Sequence, residues 1–127
     1  NNHLFENNQV ILSPCDFHFE NIIFSKSIIF IDFEYSGLDD PAKLYSVFFL
    51  QPNYLIKKKL FLSCIDKILF LKKKRLIKKR ILFLMPIIYL RWALILLNNF
   101  SKKQLNKSIK YLREREEYYN LYKNHLN

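Results

Sequence analysis

The hydrophobic period of this chain changes once, near Ala42, and that change constrains the fold more than any other feature. Before it, the apolar runs "NIIF" and "SIIFIDF" stand either side of Ser25 and Lys26, with Ser27 at the edge. Short Ile- and Phe-rich runs separated by a few small polar residues predict a tight β-hairpin. Its second strand is expected to end around Asp32 to Glu34. An earlier strand is expected over residues 9–12, running into a loop that begins near Ser13 and Pro14. Gly37 and Pro41 punctuate another loop in "YSGLDDPAK".

After Ala42 the apolar residues recur at helical spacing. Leu44, Val47 and Phe48, with Leu55 beyond the break at Pro52, are expected core positions. Pro41 suits a first helical turn, where its missing N–H is tolerated. Leu60, Ile65, Leu69 and Leu76 then alternate with lysine clusters, and residues 84–99 read as an apolar helix. In "SKKQLNKSIKYLREREEYY", Ser101 and Gln104 have capping-box spacing, and Leu105, Ile109 and Leu112 form the expected apolar face. The expected class is α+β: a short β-hairpin packed against several α-helices, without repeats.

At 127 residues the chain has room for one domain. Half of its residues are apolar, enough to offset the entropy of ordering. A single glycine rules out a Gly-rich phosphate loop within these residues. Cys15 and Cys64, the only cysteines, have no companions at metal-ligand spacing, so neither a disulfide framework nor a zinc site is indicated. "NNHLFENNQVILS" has neither a basic leader nor a continuous apolar region, and a reducing, cytoplasmic setting is expected. The apolar stretch 81–97 contains Pro86 and Arg91 and is short for a membrane span, so a buried helix is expected.

The net charge of +10 is local, since eleven of the 21 basic residues lie between Lys57 and Arg80, opposed there only by Asp66. Such a field suits nucleic acid, anionic lipid or phosphorylated ligands. The joint enrichment in Lys, Asn, Ile and Phe is also what coding bias and a solvated lysine face produce.

The residues that carry chemistry precede the change of period. Asp16 and Asn21 lie across one loop, and Asp32 returns toward them at the end of the hairpin. A carboxylate can take the proton of an attacking hydroxyl, while an amide oxygen and a second carboxylate can hold magnesium, which is the equipment of phosphoryl transfer. Asp and Asn are equally common as loop residues that bond their own backbone.

"SPCDFHFEN" resembles the catalytic loop of the aminoglycoside and choline kinase-like phosphotransferases, which opens His-Gly-Asp-x-His and closes on an asparagine. "IIFIDFEYSGLDDP" resembles the metal-binding strand and loop of the same family, and "YLRWALILLNNF" is similar to a helix of an uncharacterised bacterial branch. The first two motifs cover roughly residues 10–55. The resemblance implies Asp16 as catalytic base, Asn21 and Asp32 as magnesium ligands that also hold the phosphates of ATP or GTP, and His18 and Glu34 as supporting residues. Asp39 or Asp40 matches the acidic residues that follow, although capping of the next helix explains both. Pro14 replaces the usual first histidine, and the usual acid of the next helix has no match at Lys43 or Val47.

By this resemblance the chain is one partial domain, 1–127, the C-terminal lobe of a protein-kinase-like fold. Residues 9–41 carry the catalytic and metal-binding loops, and residues 42–127 form a helical substrate-side region. The nucleotide-phosphate loop belongs to an N-terminal lobe that these residues do not supply. The implied function is magnesium-dependent transfer of a nucleotide γ-phosphate to a small hydroxylated acceptor. The alternatives are a non-catalytic remnant, or a basic module for nucleic acid or anionic membrane. His18 is expected as a structural donor to a backbone oxygen, Trp92 as a core indole and Arg91 as a helix residue with a salt partner, although Arg91 and Trp92 also suit an acceptor pocket.

Overall fold

The computed structural model describes residues 10–54, 56–67, 74–98 and 101–126. Four short strands come first: β1 (Ile11–Ser13), β2 (Ile22–Phe24), β3 (Ile28–Phe30) and β4 (Gly37–Asp39). A 3-10 turn, Phe19–Asn21, leads into β2. The helices follow as α1 (Pro41–Phe49), α2 (Lys58–Lys67), α3 (Lys74–Leu96) and α4 (Lys102–Leu126). Among the described residues this is a small mixed α+β domain of four α-helices and two two-stranded sheets. Leu55 and Leu69 lie outside the described residues.

The expected hairpin is β2 and β3, antiparallel with Ile22 opposite Phe30 and Phe24 opposite Ile28. β3 stops at Phe30, short of the expected end at Asp32 to Glu34. The second sheet departs from expectation, because the loop read in "YSGLDDPAK" contains β4, which pairs antiparallel with β1 through Ile11 and Asp39, Leu12 and Leu38, and Ser13 and Gly37. A three-residue strand with one apolar side chain has no periodic signal to detect.

The expected packing of the hairpin against the helices is corrected. Ile23, Phe24, Ile28, Ile29 and Phe30 are all exposed, Phe24 to 69%. The helices pack instead against the loop that precedes it. Phe17 stacks on Phe48 of α1 with ring centres 4.5 Å apart, and Phe19 meets Phe48 at 4.6 Å and Tyr54 at 4.7 Å.

α1 starts where the side chain of Asp40 accepts from the Ala42 amide at 2.9 Å, with Pro41 in the first turn. Asp39 accepts from Lys43 Nζ at 3.0 Å, so both acids organise the start of α1. Val47 is buried, whereas Leu44 and Phe48 are half-buried. α3 packs against both α1 and α4. Ile77, Ile81, Met85, Ile88 and Trp92 form its inner stripe, joined by Phe61 and Ile65 of α2. Each such side chain contributes about 1.5–3 kcal/mol on burial. Leu60 is exposed, because Phe61 and Ile65 take the inward positions.

The basic segment is divided between α2 and α3, and several of its cations are paired. Lys58 meets Glu117 at 2.6 Å, Lys78 meets Asp66 at 2.7 Å and Arg80 meets Asp40 at 2.8 Å. No helix among the described residues is long and apolar enough to cross a membrane.

The Ser101 capping box forms as its spacing predicts. Gln104 N donates to Ser101 Oγ at 3.3 Å, and Ser101 N donates to Gln104 Oε1 at 3.2 Å. The face beyond it is corrected: Leu105, Ile109 and Leu112 are exposed, and α4 buries Ser108, Tyr111, Arg115, Tyr118 and Tyr122. These polar residues face inward because backbone carbonyls await them. The hydroxyls of Tyr111, Tyr118 and Tyr122 donate to the carbonyl oxygens of Leu50, Ile56 and Lys78. Burial drives the Tyr111 and Tyr122 hydroxyls well above the ordinary phenol range, which keeps both protonated as donors.

Candidate active site

The site begins where β1 ends. Ser13 Oγ accepts from the Cys15 amide at 3.0 Å, and Asp16 N donates to the Pro14 carbonyl at 2.7 Å. These bonds fold the chain sharply, and Cys15 takes a left-handed backbone conformation with φ of 61°. That region is costly for side chains other than Gly, Asn and Asp. The chain's single glycine, Gly37, is elsewhere and has no positive φ.

Beyond Asp16 the chain closes on itself. Asn21 N donates to the His18 carbonyl at 3.1 Å, and Asn21 Nδ2 donates to the Asp16 carbonyl at 3.0 Å. With Nδ2 so engaged, Oδ1 is the amide atom left for a cation. The hairpin register then brings in the third residue: Ile31 N donates to the Asn21 carbonyl at 3.0 Å, which extends the ladder one step beyond β2 and β3. Asp32 follows at φ 65°, leaving the strand line immediately beyond the Asn21 pairing. Asp16 and Asn21 therefore share one hydrogen-bonded loop, and that loop is paired with Ile31, the residue before Asp32. Asp32 is exposed and Asp16 half-exposed.

His18 departs from its expected role. Its Nε2 lies 2.7 Å from Asp16 Oδ1, off the axis of a good hydrogen bond, and its Nδ1 lies 3.7 Å from Glu20 Oε2. The imidazole meets Trp92 edge-on with centres 5.2 Å apart. It therefore faces carboxylates rather than a backbone oxygen. Trp92 is a core indole, as expected, and the Arg91 guanidinium lies 5.6 Å from its ring centre. Glu34 is exposed within a turn closed by Ser36 N donating to the Phe33 carbonyl at 2.9 Å.

Two supporting residues were missed by sequence reasoning. Gln51 Oε1 accepts from the Phe19 amide at 3.1 Å, and Asn53 Nδ2 donates to Glu20 Oε1 at 3.1 Å. Neither carries a motif, because a lone amide beside Pro52 signals only a break in the helix. Asn53 also lines a cavity of about 270 Å³ on the helical side, together with Leu96, Lys107, Tyr111 and Glu114.

Among the described residues no three His, Cys, Asp or Glu side chains gather in a metal-binding group. Asn21 and Asp32 each carry a side-chain oxygen of the hard kind that magnesium accepts. Comparison with protein-family models, with curated proteins and with solved structures finds no match.

Proposed function

We propose that this chain is the C-terminal, helical part of a magnesium-dependent phosphotransferase of the aminoglycoside and choline kinase-like kind. It would move the γ-phosphate of ATP or GTP to a small hydroxylated acceptor. The observation that carries this reading is the bonded sequence Asp16 carbonyl, Asn21 side chain, Asn21 carbonyl and Ile31 amide, which joins the Asp16 loop to the residue that precedes Asp32. The left-handed Cys15 adds support, because the resembled motif has glycine at that position.

Asp16 would accept the hydroxyl proton of the acceptor. His18, against the Asp16 carboxylate, would orient it. Asn21 Oδ1 and the Asp32 carboxylate would hold magnesium, which supplies neutralisation of the phosphate charge. The cavity beside Asn53 supports an acceptor site on the helical side.

The test is nucleotide binding and turnover by the full-length protein. Asp32→Asn is expected to weaken magnesium-dependent nucleotide binding about tenfold or more. Asp16→Asn is expected to lower turnover by about two to four orders of magnitude while sparing binding. Wild-type behaviour in both variants would sink the assignment.

A further inference from the structure

The 3-10 turn that ends at Asn21 has an uncapped start on its own side of the molecule. His18 occupies the capping position and makes no side-chain cap bond. The first amide of a helical turn has no acceptor within the turn. Phe19 finds its acceptor in Gln51 Oε1 at 3.1 Å, far along the chain and beyond the end of α1.

Gln51 is built for this contact. It is 2% exposed, and every polar group of its side chain is used: Nε2 donates to the Phe48 carbonyl at 2.6 Å while Oε1 receives Phe19. A buried amide with either end unpaired is costly, so this pairing fixes the rotamer that aims Oε1 at the turn. Its backbone is held as well. Arg115 Nη2 donates to the Gln51 carbonyl at 2.9 Å, and the guanidinium lies 5.1 Å from the ring centres of both Tyr111 and Tyr118. Arg115 is 1% exposed, and its Nε and Nη1 have no hydrogen-bond partner among the described residues. Its cation is accommodated by those two rings and the carbonyl it holds.

We propose that Gln51 is the positioning residue of the Asp16–Asn21 loop and that Arg115 sets Gln51. Gln51 acts as a remote cap: it holds Phe19, Phe19 accepts from the Ile22 amide across the turn, and the turn presents Asn21. The consequence for metal binding rests on the reading of Asn21 as a ligand.

The experiment uses the whole chain carrying Gln51→Leu, of similar volume and without polar atoms. Amide hydrogen exchange is read residue by residue, and Mn²⁺ affinity is read by paramagnetic broadening at Asn21 and Asp32. Exchange at Phe19 and Ile22 is expected to accelerate about tenfold or more, with α1 and α4 unchanged. Mn²⁺ affinity is expected to fall about tenfold or more. Ser108→Ala removes a buried bond to the Ala93 carbonyl away from the turn, and is expected to leave both readings within about twofold.

Unchanged protection at Phe19 overturns the proposal, as does a loosened turn with unchanged Mn²⁺ affinity. If the wild-type chain shows no broadening, the metal reading fails instead, and the exchange data alone decide the role of Gln51. Acceleration confined to the turn then supports it, and acceleration spread through α1 and α4 overturns it. Should Gln51→Leu not fold, Arg115→Lys, which keeps the charge and loses the planar fork, is expected to show the same pattern more weakly.

Discussion

Arg80 of α3 holds the same Asp40 oxygen that caps α1: Oδ1 receives the guanidinium at 2.8 Å and the Ala42 amide at 2.9 Å. Arg80 is buried, so one carboxylate both starts a helix and answers a cation in the interior. Losing the cap costs about 1 kcal/mol, and losing a hydrogen bond to a charged group about 1.5–3 kcal/mol more. Asp40→Ala is therefore expected to destabilise the fold by about 2.5–4 kcal/mol. Asp40→Asn, which keeps an oxygen for Ala42, should lose about half of that. Urea denaturation checks the order, and equal losses in both variants would refute the dual role.

The inward polar stripe of α4 makes an opposite pair of expectations. Tyr111→Phe deletes the donor to the Leu50 carbonyl inside the core and is expected to cost about 1–2 kcal/mol. Ile109→Lys places a charge on what the sequence offers as the apolar face, yet Ile109 is exposed, so the expected change is within about 0.5 kcal/mol. Denaturation midpoints of the two variants decide between the expected and the observed face. A larger loss in Ile109→Lys would restore the leucine face.

These cases show what was legible in the sequence. Period and punctuation placed the hairpin, the Asp40 and Ser101 caps and α1, because each depends on neighbours a few residues apart. The pairing of Asn21 with Ile31, next to Asp32, was legible for the same reason, since a tight hairpin brings its two ends together. β4, the α4 face and Gln51 were not. β4 is too short for a period, and the α4 face follows the carbonyls of Leu50, Gln51 and Ile56, which have no sequence signature. Leucines at helical spacing and tyrosines at helical spacing compete for the interior, and distant acceptors decided the outcome.

Asp66 supplies the pH dependence. Lys78 donates to it at 2.7 Å and holds its carboxyl below the usual range, and His125, 3.3 Å away, adds to the effect. With the folded pKa below the unfolded value of about 3.9, its stabilisation is present above that value and is lost as pH falls through the folded pKa. The carboxylate is half-exposed, so screening limits the contribution to about 0.5 kcal/mol. Asp66→Asn is expected to lower Tm at pH 7 by about 2 °C and to match the wild type once pH is well below 3.9. A difference that persists unchanged in acid would mean that packing, rather than charge, was removed.

Cys15 and Asp32 share a left-handed backbone, with φ of 61° and 65°, and this separates strain from chemistry at the site. Asparagine tolerates that region about as well as aspartate does, so Asp32→Asn should lose cation binding with its Tm unchanged. Asp32→Val adds about 1–2 kcal/mol of strain and should lose both. At Cys15, glycine relieves a strain of that size but gives back about 0.5–1 kcal/mol in unfolded-chain entropy. Cys15→Gly is thus expected to be neutral or to stabilise by up to about 1 kcal/mol, whereas Cys15→Val should destabilise. Thermal unfolding of the four variants, with Mn²⁺ titration of the two at Asp32, provides the check. If Asp32→Asn lowered Tm as far as Asp32→Val, the carboxylate would be holding the loop itself, and the metal-ligand role would lose its support.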